Sequence, residues 1–199
     1  MAKKVDHDQR KREIAERAIR LFSQVGFDNV SLNMIAASVG VSRPVLYRYF
    51  CSKREVMDAA ILTVTGRIND DCTQILVSRK SPLEKLELVC HAVTDVMFAN
   101  QQFLVAVFDF VVGMVRSGAD MNASIQRFTS GTRDVLRRLI ASAISRGEIA
   151  EILVVDRIAD AIYAEFESCA MRIVLGTEAD SSAAKKRFSD VVRAISIWK

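Results

Sequence analysis

The chain has 199 residues, of which 50% are hydrophobic and 26% charged, a balance typical of a folded protein and not of a disordered one. It contains 8 Gly and 2 Pro, too few for the many tight turns of a β-sandwich, a barrel or a doubly wound sheet. The formal net charge is +4, and residues 1–55 carry 11 Lys and Arg against 6 Asp and Glu. The composition therefore predicts long helices joined by short loops. The basic N-terminal residues suggest a surface that binds a polyanion, and a charged segment that only keeps the protein in solution is the alternative.

Cysteine and histidine spacing gives no indication of a metal site. The four cysteines include no CxxC pair and the chain has only two histidines, so we predict neither a metal nor another cofactor. No apolar run follows the charged N-terminus, which predicts a cytoplasmic protein with reduced thiols. The most apolar stretch, residues 103–115, is too short to span a bilayer and includes Asp109, so we predict a soluble core helix and no membrane partner.

A helix-turn-helix is the most specific prediction from the N-terminal residues. Apolar spacing predicts a first helix from Ile14 to Val25, ended by Gly26. A short helix follows over residues 31–39, Gly40 supplies a turn, and a second short helix covers residues 42–49. In such a unit the second helix enters the major groove of DNA. A plain helical hairpin is the alternative interpretation.

The predicted reading helix has one apolar anchor, Leu46, which leaves its other side chains for DNA. Arg43 carries the fork of donors that recognises guanine, while Pro44 and Val45 can contact thymine methyl groups. Tyr47 and Lys53 suit phosphate oxygens, which position a protein without specifying sequence.

Capping residues, glycines and apolar spacing predict six further helices along the rest of the chain. They cover residues 52–77, 82–99, 102–115, 121–146, 155–175 and 182–197, which gives nine helices and no strand.

The stretch from Ile14 to Glu55 resembles the DNA-binding domain of the TetR family of bacterial transcriptional regulators. The resemblance rests on the order GVSxxxLYxYFxSK, preceded by these residues: Ala18, Leu21, Phe22, Gly26, Phe27, Ser31, Ile35 and Ala36. It implies an all-α fold, with a three-helix DNA-binding domain over residues 1–53 and a helical effector-binding and dimerisation domain over residues 54–199.

The resemblance also implies a set of DNA contacts. These are Ser31, Asn33, Ser42, Arg43, Pro44, Val45, Tyr47, Arg48, Tyr49 and Lys53. Many relatives have Gly at position 44 and Thr or Ala at position 45, so Pro44 and Val45 are expected to stiffen and enlarge the reading surface. Cys51 stands where a polar residue is common.

A homodimer is implied, in which the last two helices pair with their copies, as suits a palindromic double-stranded operator. The predicted interface residues are Ile158, Ile162, Phe166, Ala170, Ile173, Phe188, Val191, Val192, Ile195 and Trp198. Packing of these faces within one chain is the alternative.

An effector pocket is implied within helices 86–114 and 121–144, and its apolar residues favour a hydrophobic small molecule. The candidate residues are His91, Met97, Phe98, Phe103, Phe108, Asp109 and Met114. If Asp109 faces the cavity, it favours a cationic or hydroxylated amphiphile, and if it faces solvent, that preference disappears.

The sequence thus favours a ligand-responsive DNA-binding regulator, a repressor, that is not an enzyme. Two other interpretations stay open: a constitutive DNA binder with a filled core, and a thiol-based redox sensor using one of the cysteines at positions 51, 72, 90 and 169. A helical enzyme is disfavoured because no nucleophile and base pair is recognisable in the sequence.

Overall fold

The computed structural model describes residues 2–120, 122–178 and 180–196. Within them the chain forms nine α-helices and no strand, which confirms the predicted all-α class. The helices are α1 (Ala2–Asn29), α2 (Leu32–Ser38), α3 (Arg43–Leu46), α4 (Lys53–Val77), α5 (Pro82–Ala99), α6 (Gln101–Arg116), α7 (Asn122–Ser145), α8 (Val155–Val174) and α9 (Ser181–Ile195). No single helix among these residues is long and apolar enough to cross a membrane, although the bent pair α5 and α6 together reaches that length and composition.

The largest difference from prediction is the start of α1. The helix begins at Ala2 and not at Ile14, while Gly26 interrupts it with a positive φ of 78°. The reading helix α3 is also shorter than predicted, since regular helix ends at Leu46. Two predicted helix ends, Met121 and residue 197, lie outside the described residues.

Side-chain caps account for several of the helix starts. The Ser31 hydroxyl accepts a hydrogen bond from the Met34 amide, and Ser81 forms a complete capping box with Glu84. Ser42 occupies the N-cap position of α3, but its side chain makes no capping hydrogen bond. Each satisfied cap stabilises a helix by about 1 kcal/mol.

Residues Met1–Gly66 and Gln102–Phe128 form one compact unit. Its core is formed by side chains of the four helices α1, α2, α3 and α4 and of one face of α6. Within it, the Phe27 and Phe110 rings meet edge to face, with centroids 4.9 Å apart. The predicted domain boundary at residue 53 lies within this unit. The functional division at that residue stays a prediction.

Residues Arg67–Gln101 and Thr129–Lys199 form the second unit. Its interior contains the Phe166 and Phe188 rings, whose centroids are 4.6 Å apart, between α8 and α9.

A charge network closes the turn between these helices. Glu178, whose side chain is 3% exposed, accepts hydrogen bonds from both Arg172 and Arg187.

Candidate nucleic-acid interface

The turn between α2 and α3 is held by backbone geometry that requires glycine. Gly40 has a φ of 68°, a conformation that side chains with a Cβ rarely adopt. The following amide, of Val41, returns to the Ala36 carbonyl at 3.0 Å. Ile35, Ala36 and Leu46 are buried, so α2 supports α3 through one continuous apolar contact.

The exposed face of α3 and of the turn after it is cationic and aromatic. Arg43, Pro44, Tyr47 and Arg48 are exposed, whereas Val45 and Tyr49 are half-buried. Leu46 is 1% exposed, as expected of the anchor. The predicted contacts Ser31, Asn33 and Ser42 are also exposed, although Ser31 uses its hydroxyl to cap α2.

Arg43 and Tyr47 contact each other across one turn. The Arg43 Nη2 donates to the Tyr47 hydroxyl at 2.9 Å, and the guanidinium lies 5.4 Å from the centroid of the Tyr47 ring. This contact orients the predicted guanine-reading side chain against the predicted phosphate contact. The sequence pattern predicted that both residues contact DNA, but it did not predict the hydrogen bond between them.

Lys53 is anchored by the protein itself. Its Nζ donates to the carbonyls of Phe27 and Asp28, at 2.8 and 3.1 Å, and lies 4.3 Å from the centroid of the Phe27 ring. Burial lowers the pKa of this ammonium, and the Asp28 carboxylate opposes the shift. Lys53 therefore joins the start of α4 to the end of α1, which leaves one N–H for the predicted phosphate contact.

The predicted effector residues divide between the two compact units. His91, Met97 and Phe98 belong to the second unit, whereas Phe103, Phe108, Asp109 and Met114 belong to the first. Phe103 is 4% exposed in the core of the first unit, and Met114 packs against that core.

Asp109 is exposed to solvent. The prediction that the effector is a cationic or hydroxylated amphiphile required this side chain to face the cavity, and it is therefore not supported. The Asp109 carboxylate lines an open surface cleft of about 420 Å³ within the first unit, together with Phe27, Phe108 and Arg116. In water the carboxylate needs no buried partner.

His91 belongs to a polar network between α5 and α9. Its Nε2 lies 3.0 Å from the Ser189 hydroxyl, which donates to Glu87 at 2.5 Å. Sequence spacing does not reveal this serine and histidine pair, because 98 residues separate its members. Since the serine proton points to Glu87, His91 is not placed to accept it, and the network fastens two helices.

Most of the predicted dimer residues are covered by the chain's own fold. Seven of them are buried within the single chain: Ile158, Ile162, Phe166, Ala170, Ile173, Phe188 and Val192. Val191 and Ile195 are half-buried, and Trp198 lies outside the described residues. The seven side chains are therefore removed from water without a partner chain, and their part in a dimer interface stays a prediction.

Three of the four thiols are poorly suited to redox sensing. Cys72, Cys90 and Cys169 are buried, and burial raises the pKa of each, for Cys72 to about 11. A thiol with a raised pKa forms little of the reactive thiolate at neutral pH. Cys51 is exposed.

A recognition helix on a basic three-helix unit defines the class of protein, a helix-turn-helix DNA-binding protein. The family model described as "Bacterial regulatory proteins, tetR family" matches residues 14–60. The HTH-type transcriptional regulator PksA of Bacillus subtilis (strain 168) is 26% identical over 178 residues, which cover 88% of this chain and 83% of that protein. Residues 14–60 thus match the TetR family of bacterial regulatory proteins, and the chain is similar over most of its length to a helix-turn-helix transcriptional regulator.

Solved structures share the fold over nearly the whole chain. A TetR-family regulator from Rhodococcus sp. has a TM-score of 0.79 at 17% identity, covering 94% of this chain and 98% of that chain. The regulator FadR of Bacillus subtilis, solved in complex with stearoyl-CoA, has a TM-score of 0.77 at 18% identity, covering 90% of this chain and 95% of that chain. At these identities the likeness is one of fold.

Proposed function

We propose that the chain is a homodimeric repressor that binds a palindromic operator in the cytoplasm and is released from it by a hydrophobic small molecule. The observation that carries the DNA-binding role is the exposed row of Arg43, Tyr47 and Arg48, presented by α3 and the turn after it. A cationic and aromatic surface of this kind offers base-reading donors and phosphate contacts together.

The dimer surface is an exposed apolar stripe on α8. Its residues follow one another at alternating intervals of three and four, the spacing that keeps side chains on one helical face. Four of them are exposed, Ala161, Ala164, Met171 and the C-cap residue Leu175, and the fifth is the half-buried Ser168, whose hydroxyl accepts a hydrogen bond from Arg172. Met171 is 45% exposed and Leu175 65% exposed, so a second copy of the chain would bury substantial apolar area here. Two-fold pairing would present two reading helices to two half-sites.

The effector is proposed to be a long-chain acyl compound. Support comes from FadR, a protein of the same fold whose structure holds stearoyl-CoA. The Phe and Met content of residues 97–114 suits a flexible apolar ligand. Release requires that the ligand bind the DNA-free conformation more tightly than the DNA-bound one.

Fluorescence anisotropy of a labelled operator tests release directly. Stearoyl-CoA should lower the anisotropy of the complex, whereas free coenzyme A, which has the same charged headgroup and no chain, should leave it unchanged. The same compound at 100 times its Kd should stabilise the DNA-free protein by about 2.7 kcal/mol. If acyl-CoA thioesters, fatty acids and aromatic compounds all leave both readings unchanged, the protein binds its operator constitutively.

A further inference from the structure

The part of α1 from His7 to Lys11 lies against Tyr49 and Phe50, which follow the reading helix α3. The His7 ring stacks on the Tyr49 ring, with centroids 4.8 Å apart and planes inclined by 29°. One turn later, the Lys11 ammonium lies 5.5 Å from the centroid of the Phe50 ring. Because Tyr49 and Phe50 close the turn after α3, this part of α1 continues the surface that carries the reading side chains.

A third contact fixes the same stretch to the first helix of the helix-turn-helix. Arg10 donates through Nη2 to the carbonyl of Val39, the C-cap of α2, at 3.3 Å and through Nη1 to Glu13 at 2.6 Å. A cation at a helix C-terminus also meets the negative end of the helix dipole. The position of α1 beside the reading surface is therefore set by contacts with both α2 and the turn after α3.

The charge of this stretch is strongly positive. Residues 3–12 hold five Lys and Arg against two Asp, a net charge of +3. Lys11 lies over an uncharged ring, which takes none of its three N–H donors, and Arg12 is exposed. Two acidic residues lie beside these cations: Asp8, whose Oδ1 is 3.9 Å from the His7 Nδ1, and Glu13, which pairs with Arg10.

We propose that Lys11 and Arg12, positioned by the stack of His7 on Tyr49, bind phosphates of the operator duplex beside the bases that α3 reads. The proposal rests on the proposed DNA-binding function and extends its surface to α1. Phosphates are the fitting partner because duplex DNA carries about one negative charge per 1.7 Å of axis. Such contacts add affinity and register but no sequence preference.

Salt dependence of operator binding tests the proposal. Each phosphate contact adds about 0.9 to the slope of log K against log salt, so Lys11→Gln or Arg12→Gln should each reduce the slope by about 1.8 in a dimer. Arg20→Gln is the matched control, since it makes the same charge change on an exposed position of the same helix. It should leave the slope unchanged, and a reduction equal to that of Lys11→Gln would overturn the proposal.

The stack makes a second, separable prediction. His7→Ala should reduce the salt slope, whereas His7→Phe, which keeps an aromatic ring on Tyr49, should preserve it. Asp8→Asn should strengthen binding to specific and non-specific duplexes by a similar factor, because it removes a negative charge from the surface.

The outcomes distinguish this proposal from the DNA-binding function on which it rests. If the wild type selects an operator and Arg43→Ala alters base preference, but Lys11→Gln and Arg12→Gln leave the slope unchanged, only the role of α1 is overturned. If the wild type binds no duplex at all, both proposals fail. Thermal melting of each variant shows whether it is folded.

Discussion

The Arg43 guanidinium donates a hydrogen bond to the Tyr47 hydroxyl at 2.9 Å, so two side chains of the reading surface are ordered on each other. An ordered side chain loses less rotamer freedom on binding, and each immobilised side chain otherwise costs about 0.5–1.5 kcal/mol. We therefore expect the contact between these two side chains to increase the affinity for DNA.

Arg43→Ala should relax base preference at one operator position by about 1–3 kcal/mol, because a bidentate guanine contact is lost. Tyr47→Ala should weaken binding to all sequences by a similar factor, as the loss of a phosphate contact does. Tyr47→Phe keeps the ring but removes the hydroxyl and should give a smaller loss than Tyr47→Ala. The measurement is the affinity for a panel of operators with single base changes. An unchanged ranking of this panel in Arg43→Ala would remove Arg43 from the base-reading residues.

The packing of α6 on the N-terminal helices predicts a stability effect. Phe110 is 1% exposed and meets Phe27 edge to face, so Phe110→Ala should lower the free energy of unfolding by about 3–5 kcal/mol. Val112→Ala, at a side chain that is 44% exposed on the same helix, should change it by less than about 0.5 kcal/mol. Urea denaturation measures both. Equal effects of the two substitutions would contradict the assigned core.

The turn between α8 and α9 should make stability depend on pH. Hydrogen bonds from Arg187 and Arg172 hold the pKa of Glu178 below its ordinary value of 4.5. The folded chain therefore binds fewer protons than the unfolded chain between these two pKa values. The stabilisation is complete at pH values above the pKa of Glu178 in the unfolded chain. It is lost as the pH falls through the lower pKa of Glu178 in the folded chain.

Melting temperatures between pH 3 and pH 7 check this dependence. Glu178→Gln should cost about 2–3 kcal/mol at pH 7 and flatten the acid limb of the curve, because two arginines lose their charged acceptor. Glu167→Gln, at an exposed position of α8, is the control and should follow the wild type. An acid limb that is identical in wild type and Glu178→Gln would show that this network does not govern it.

The exposed stripe on α8 predicts which substitutions make the protein monomeric. Met171→Glu or Leu175→Glu places a charge in the proposed interface and should raise the dimer Kd at least about tenfold, or 1.4 kcal/mol. Ile152→Glu is the control, because this side chain is 88% exposed and lies outside the stripe. Sedimentation velocity over a concentration series separates the cases. Wild-type association of Leu175→Glu would rule the stripe out.

The helix-turn-helix could be predicted from the sequence because the residues that form it act over short distances along the chain. The hydroxyl of Ser31, the positive φ of Gly40 and the apolar anchor Leu46 each act within a few residues. Sequence spacing therefore predicted the unit and the exposure of Arg43 and Tyr47.

The missed features depend on contacts between distant residues or on the absence of apolar periodicity. The residues before Ile14 give no apolar stripe, and His7, Asp8 and Gln9 are exposed and polar, so the predicted helix began at Ile14. Lys53 binds a carbonyl 26 residues away, which spacing does not reveal. The resemblance assigned Ile158 and Ile162 of α8 to a dimer interface, with packing within one chain as the alternative, and both side chains are buried within the single chain.

The most direct test of the central claim is selection of bound sequences from a random duplex library, followed by footprinting of the enriched site. We expect an enriched pair of inverted half-sites, protected on one face of the duplex and bound by a dimer with strong salt dependence. Arg43→Ala should lose the preference at one position in each half-site. A single unrepeated half-site, or a library that stays unenriched, would contradict the claim that this chain reads DNA as a two-fold dimer.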